Sequence, residues 1–425
     1  MEVRVFPSRC QGTVQAPPSK SAAHRVLLAA GLAHGETLVR PLAWSQDILA
    51  TIDCLRVLGT QVETGEDWAR VTGRGGPHAD GPFSLPCRES GSTLRFLIPL
   101  CALTGREATL TGSPRLLERP QGVYRDLFAE QGLPFRQEAA GITLRGPLRA
   151  GVYRLRGDVS SQFVTGLLYA LPLLPGDSRL ELLPPVESRS YIQMTLDMLA
   201  RFGIEASWED AHTLSIPGRQ AYRALGEAAV EGDYSQAAFW GALGALNGPI
   251  RCTGLRPDSS QGDKVFLSHL AAFGARVVPL PDGFAVTPAP LTGGEIDLAD
   301  CPDLGPILTA LAVFCQGESR ICHAGRLRLK ESDRIAAMEE ELRRMGARLS
   351  STEDEIRITG GETLEGGCTV SCHNDHRIAM SLAVAATCCR RPVTITGAQA
   401  VNKSYPAFWE DLASTGARVE KQAED

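Results

Sequence analysis

Apolar positions along this chain fall into two kinds of helical segment that alternate. Six segments are amphipathic and end alike: CLRVLGTQV, LFAEQGLPF, MLARFGIEA, HLAAFGARV, ELRRMGARL and DLASTGARV. In each, a helical run stops at a glycine and strand-like apolar residues follow. The glycines are Gly59, Gly132, Gly203, Gly274, Gly346 and Gly416, spaced 70–73 residues apart. A glycine just past a helix end suits the left-handed geometry that turns a chain into a strand. Between them recur segments apolar almost all round, beginning SKSAAHRVLLAA, SGSTLRFLIPL, SSQFVTGLLYAL, YSQAAFWGALGAL, DLGPILTALAVF and NDHRIAMSLAVAA. A helix with no polar face is expected to be buried along most of its surface. Each period therefore predicts strand, buried helix, strand, amphipathic helix and two strands, six times over.

Six such units account for all 425 residues, so no separate catalytic domain is expected among them. Units of this size are expected to assemble a few at a time around shared helices. The reading is an α/β chain of two lobes with three repeats each. One lobe comprises 1–18 and 230–425, the other 19–229. A single N-terminal strand (residues 1–17) joins the C-terminal repeats. The two connecting strands are expected to act as a hinge, with ligands in the cleft between the lobes.

Composition narrows the partners. The chain is 43% hydrophobic and 22% charged, with a net charge of −6. That balance argues against nucleic acid or an acidic membrane as a general partner, while allowing a local basic pocket. No run approaches the ~18 apolar residues of a membrane span. The start, MEVRVFPSRCQG, carries no apolar leader, so a cytoplasmic location is expected. The twelve cysteines sit mostly alone in apolar stretches and form no C-x-x-C pair. They read as reduced structural thiols, and no metal site is expected. There is no phosphate-binding G-x-x-x-x-G-K-[ST], and the glycines of GEDWARVTGRGG are not a dinucleotide fingerprint.

The chemistry gathers at the starts of the buried helices. Ser19-Lys20-Ser21, Glu89-Ser90-Gly91-Ser92-Thr93, Ser160-Ser161-Gln162, Asp233-Tyr234-Ser235-Gln236, Asp303 and Asn374-Asp375-His376-Arg377 open them in turn. One such residue is enough to cap a helix; most of these starts carry several. Helix starts are also good anion sites, because their N–H groups are unpaired and the dipole is positive there. Only five of 43 basic residues are lysine, and Lys20, Lys330 and Lys403 all lie at polar repeat junctions. A compact ammonium with an adjustable pKa is something arginine cannot replace. In LRLKESDRIAAM (327–338), Lys330, Glu331, Asp333 and Arg334 crowd a helix start. Two readings stand: Ser332 or Asp333 caps a helix among solvated ion pairs, or the cluster handles an anionic substrate. Lys330 and Arg334 are spaced to share a helix face. LLERPQG puts Arg119 where a strand hands over to a helix.

These residues carry a resemblance. PPSKSAAHR, ESGSTLRFLIP, LLERPQG, GDVSSQFVTGLL, VESRSYIQMT, EGDYSQAAF, LKESDRIAAM, HNDHRIAM and NKSYPAFW, in this order over essentially the full length, resemble the EPSP synthase family of enolpyruvyl transferases. The resemblance implies a two-lobed inverse α/β prism of six βαβαββ repeats. It implies transfer of enolpyruvyl from phosphoenolpyruvate to the 5-hydroxyl of shikimate 3-phosphate, with no metal or organic cofactor and a monomeric enzyme. It assigns catalysis to Asp303, Glu331 and Lys20. Shikimate 3-phosphate would meet Ser21, Arg25, Ser160, Ser161, Gln162, Ser188, Tyr191, Arg326 and Lys330. Phosphoenolpyruvate would meet Lys20, Gly91, Arg119, Arg334, His376, Arg377 and Lys403.

Two positions depart from the family pattern: Glu89 and Arg326 stand where asparagine is common. Two other functions compete with this one. The sister transferase acting on UDP-N-acetylglucosamine usually carries a cysteine in a mobile loop, and Leu110–Gly122 has none. A silent anion-binding protein would not need Lys20, Asp303 and Glu331 together.

Overall fold

The computed structural model describes residues 1–422. The chain divides into two compact units, one Lys20–Val230, the other Met1–Ser19 with the chain from Glu231 onward. They are called here the central and the terminal unit, after their places in the sequence. Each has its own apolar core. Val26, Phe96, Leu97, Phe163 and Tyr169 belong to one, and Val3, Trp240, Leu311, Ile378 and Phe408 to the other.

The predicted six-fold repeat is present as six four-stranded sheets among the described residues, three in each unit. The second repeat shows the pattern. Phe83–Pro86 runs parallel to Glu107–Thr111, and the crossover is the buried helix Gly91–Leu103. Glu107–Thr111 then pairs antiparallel with Gly141–Arg145, which pairs antiparallel with Phe135–Glu138. The amphipathic helix Gly122–Glu130 precedes these last two strands. A parallel pair needs such a helical crossover, whereas the antiparallel pair closes through a tight turn.

Three of the six sheets take in a strand from a distant part of the chain in their own unit. In the central unit Glu227–Ala229 returns to lie parallel to His34–Arg40 of the first repeat. In the terminal unit the N-terminal segment supplies two strands where the sequence suggested one. Glu2–Val5 lies antiparallel between Val393–Thr396 and Val419–Gln422. Gly12–Gln15 runs parallel to Ile250–Thr253 in a different sheet. Pro7, with no N–H to give a ladder, falls in the break between them.

All six glycines that mark the period adopt positive φ, from 68° at Gly132 to 105° at Gly346. Each ends its amphipathic helix in the conformation glycine tolerates best. The other helices are enclosed: every residue of Gly305–Ala312 and of His376–Thr387 is buried. Their polar first residues therefore lie at buried helix starts.

Candidate active site

In the terminal unit, the stretch from Lys330 to Arg334 meets two buried helix starts. Asp333 caps helix Arg334–Arg344, its Oδ1 accepting from Ala336 N at 3.0 Å. Ser332, the other candidate cap, donates its hydroxyl to Asp375 Oδ2 at 3.1 Å. Lys330 precedes the helix in extended backbone (φ −87°, ψ −160°). It therefore does not share a helix face with Arg334, as the spacing had suggested, because the 3-10 turn Gly325–Leu329 and the cap intervene. The two cations nonetheless reach the same carboxylate.

That carboxylate is Asp303. It accepts from Lys330 Nζ at 3.3 Å, Arg334 Nη1 at 3.1 Å and Arg377 Nη2 at 3.0 Å. Arg334 Nη2 also donates to Glu331 Oε2 at 2.8 Å, so one guanidinium joins Asp303 and Glu331. The far edge of the same guanidinium rests on Asp375, with Nε 2.8 Å from Oδ2 and Nη2 3.3 Å from Oδ1. Asp375 in turn caps helix His376–Thr387 by accepting from Arg377 N at 2.9 Å. Lys403 Nζ donates to the neighbouring carbonyl of Asn374 at 2.5 Å. His376 is buried, its Nδ1 3.9 Å from Asp375 Oδ1. Arg326 bonds the carbonyl of Ala299.

The charges are arranged to persist. Arg334 is 1% exposed. Burial works against its charge, but Asp375, Glu331 and Asp303 outweigh burial and hold its pKa above the ordinary arginine value. Burial likewise opposes the Asp375 carboxylate, and Arg334 overcomes it, keeping that group below the usual carboxylate range. Burial lowers the Lys330 ammonium, with Asp303 pulling the other way. Its side chain keeps 24% exposure, so water limits that effect.

In the central unit, Lys20 opens helix Lys20–Leu32 and places Nζ 2.7 Å from Asp47 Oδ2, both side chains being mostly covered. Asp47 stands in the first turn of Gln46–Val57, whose cap is Ser45. Arg25 spends its donors on the protein: Nε on Thr195 Oγ1 at 3.0 Å, Nη1 on Ser21 O at 2.8 Å and Nη2 on Tyr191 O at 2.9 Å. It ties the Ser21 turn to helix Arg189–Arg201. Ser188, just before that helix, is buried with a left-handed φ of 53°. Ser160 caps helix Ser161–Ala170 through Gln162 N, and Ser161 is buried behind it. The Gln162 amide accepts from Arg95 Nη1 at 2.8 Å and donates to Ser92 Oγ at 3.0 Å.

Gly91 begins the next buried helix against Arg119: a β-carbon at Gly91 would stand 2.4 Å from Arg119 Nη1. The Gly91 turn is held from behind by a buried hydroxyl chain. His24 Nδ1 lies 2.8 Å from Thr51 Oγ1, which lies 2.7 Å from Thr93 Oγ1, which donates to Ser90 Oγ at 2.7 Å. Burial, then Lys20 and Arg25, push the His24 pKa well down, so this imidazole is neutral.

In the terminal unit direct bonds join Lys330, Glu331, Arg334, Arg377 and Asp303; in the central unit Arg25 links Ser21 to Tyr191, and Gly91 packs on Arg119. Sequence reasoning passed over Asp47, Arg95, Asp263 and Asp375. Asp375 was visible only as part of a polar helix start, and Arg95 lies inside an apolar helix. Asp47 and Asp263 had no motif to mark them. Among the described residues, Glu340, Glu341 and His373 are the one His/carboxylate group with ligand-like spacing. Glu341 is flanked there by Arg344 Nε at 3.6 Å, which already balances it. Among the described residues no helix is long and apolar enough to cross a membrane.

Known proteins resemble the chain over nearly its whole length. The sequence pattern of EPSP synthase (3-phosphoshikimate 1-carboxyvinyltransferase) matches residues 6–412. A 3-phosphoshikimate 1-carboxyvinyltransferase of Clostridium kluyveri is 44% identical over 421 residues, covering 99% of this chain and 98% of that protein. One from Clostridium perfringens strain 13 is 38% identical over 424 residues, 99% of this chain and 100% of that protein. In fold, the chain is similar to the solved EPSP synthase from Acinetobacter baumannii, with a TM-score of 0.79, 24% identity and coverage of 99% and 100%. It is similar also to an enolpyruvyl transferase from Streptomyces tendae, with a TM-score of 0.82, 19% identity and coverage of 99% and 98%. A family pattern spanning nearly the whole length, together with full-length relatives at this identity, leaves one conclusion: the chain belongs to the EPSP synthase (3-phosphoshikimate 1-carboxyvinyltransferase) family.

Proposed function

We propose that this chain transfers the enolpyruvyl group of phosphoenolpyruvate to the 5-hydroxyl of shikimate 3-phosphate, releasing phosphate. The observation that carries the reading is the Arg334 guanidinium, buried and joined at 2.8 Å and 3.1 Å to the carboxylates Glu331 and Asp303. It combines an anion-binding cation and two proton-handling groups in one cluster.

The reaction is an addition followed by an elimination. In the addition, the 5-hydroxyl oxygen bonds to the central carbon of phosphoenolpyruvate and gives its proton to Asp303. The methylene carbon gains a proton and becomes a methyl group. In the elimination, the methyl group loses a proton as the bond to phosphate breaks. Glu331 gives and takes the carbon-bound proton, and Lys20 supplies positive charge and a proton to the departing phosphate. General acid–base groups of this kind contribute about 10²–10⁴-fold each.

Ser21, Arg25, Ser160, Ser161, Gln162, Ser188 and Tyr191 of the central unit serve shikimate 3-phosphate, as do Arg326 and Lys330 of the terminal unit. Arg25 does so by fixing Ser21 and Tyr191, since it bonds their carbonyls and the Thr195 hydroxyl. Phosphoenolpyruvate is served by Lys20, Gly91 and Arg119, and by Arg334, His376, Arg377 and Lys403. Fixed cations around developing charge lower a barrier without reorganising at the moment of reaction. The protein acts as a cytoplasmic monomer on these two small anions.

Phosphate release from phosphoenolpyruvate tests the reading, with shikimate 3-phosphate in one arm and UDP-N-acetylglucosamine in the other. Release only with shikimate 3-phosphate is expected. Release only with the nucleotide sugar, or with neither, would sink it.

A further inference from the structure

We infer that Asp375 is a positioning residue that sets the plane of the Arg334 guanidinium and, through it, the placement of Glu331 and Asp303. The inference rests on the reading of Arg334 as a phosphoenolpyruvate-binding group and adds a residue to which that reading gives no part.

Asp375 is 0% exposed and receives four donors on its two oxygens. Oδ2 takes Arg334 Nε at 2.8 Å and Ser332 Oγ at 3.1 Å. Oδ1 takes Arg334 Nη2 at 3.3 Å and the Arg377 backbone N at 2.9 Å. Capping explains only the last of these. A cap needs a single side-chain oxygen, and asparagine serves about as well as aspartate there. The full negative charge and the second oxygen are accounted for by the guanidinium, which a carboxylate can grip at two points and so hold in one plane.

The consequence is directional. With the Nε edge committed to Asp375, the remaining N–H groups of Arg334 can point only the other way. Nη1 meets Asp303 at 3.1 Å and Nη2 meets Glu331 at 2.8 Å. The same carboxylate fixes the backbone of Arg377, whose Nη2 reaches the second oxygen of Asp303 at 3.0 Å. One buried group therefore registers two cations and, through them, both proton-handling carboxylates. A buried ion pair is weak evidence of stabilisation, because desolvation offsets most of the attraction. An ion pair buried at this position fits a demand for geometry better than a demand for stability.

The test compares Asp375→Asn with the parent chain and with Arg334→Lys and the double variant, using shikimate 3-phosphate and phosphoenolpyruvate. Asparagine keeps an oxygen for Arg377 N but sets an NH₂ against the Arg334 donor. The KM for phosphoenolpyruvate should rise and kcat should fall, each about tenfold or more, because small misplacement of a fixed group is costly. The KM for shikimate 3-phosphate should stay within about twofold, and melting should move little. Lysine cannot use a two-point grip, so on the Arg334→Lys background the same change should cost less than about threefold further. Parent-like kinetics in Asp375→Asn, or losses that simply multiply in the double variant, would overturn the inference. Should Asp375→Asn not fold, Ser332→Ala removes one donor from Oδ2 and should raise the KM for phosphoenolpyruvate at least about threefold at an unchanged melting temperature; an unchanged KM would count against the inference equally. An inactive parent chain would overturn the functional reading and this inference together, whereas an active parent with an indifferent Asp375→Asn overturns the inference alone.

Discussion

Arg119 and Gly91 are packed so closely that a β-carbon on Gly91 would stand 2.4 Å from Nη1 and 2.9 Å from Cζ of the guanidinium. Arg119 is itself 5% exposed, so it cannot simply swing into solvent. The glycine is needed here for space, since its φ is not positive and alanine would suit a helix start.

Gly91→Ala should therefore leave the fold intact and displace Arg119. The expected result is a KM for phosphoenolpyruvate raised about tenfold, equivalent to about 1.4 kcal/mol. The KM for shikimate 3-phosphate should change much less. Steady-state kinetics with each substrate varied in turn makes the comparison, and equal changes in both constants would place the effect elsewhere.

Asp303 accepts from Lys330, Arg334 and Arg377 at once. An anion that uses Arg334 and Arg377 must compete with this internal carboxylate for them. Asp303→Asn should accordingly separate binding from turnover. Turnover should fall by about 10²-fold or more with the loss of a proton acceptor. Affinity for inorganic phosphate should increase, because the competing negative charge is gone. Titration calorimetry of phosphate into parent and variant decides it, and weaker phosphate binding by the variant would contradict the competition.

Glu331 bonds Arg334 through Oε2. Glutamine keeps an oxygen for that bond and loses the capacity to exchange a proton. Glu331→Gln should cut kcat by about 10²–10⁴-fold while shikimate 3-phosphate binds within about twofold of the parent. Calorimetry alongside single-turnover kinetics is the measurement. Normal turnover with lost binding would reverse the assigned role.

The repeat was legible because its signals are local. A glycine forced to positive φ at each helix end and an apolar helix with no polar face both leave their mark in a short window of sequence. The motif residues were legible too, since Lys20, Glu331 and Arg377 stand in distinctive strings. What the sequence hid was partnership across long separations. Nothing near Lys20 announces Asp47, 27 positions on. Nothing near Arg334 announces Asp375, 41 positions on. A helical spacing rule misplaced Lys330, because a cap and a 3-10 turn break the helix it assumed. The split of the N-terminal segment into two sheets was hidden for a similar reason: both strands are four residues long, and their partners lie near the far end of the chain and at residues 250–253.

Asp263, in the 3-10 turn Gly262–Val265, is 1% exposed and accepts a hydrogen bond from Ser235 Oγ. Burial is the largest influence on its carboxyl, raising the pKa from 3.8 to about 6; Asp303 and Asp233 push the same way, while Arg377 and Ser235 pull back. The folded chain therefore holds this proton more tightly than the unfolded chain does. The stability that comes with the proton is fully present below about pH 4 and is lost as pH rises through about 6. A shift of about two units corresponds to about 3 kcal/mol at most. Asp263→Asn, neutral at every pH, removes the titration. Relative to the parent, the variant should be most favoured at pH 7.5, and its advantage should shrink steadily toward pH 4, whatever constant offset the changed hydrogen bond to Ser235 adds. Urea unfolding of both chains across that range measures the difference. An advantage that instead grew toward acid would mean that Arg377 dominates and holds Asp263 as a paired carboxylate, with its pKa depressed.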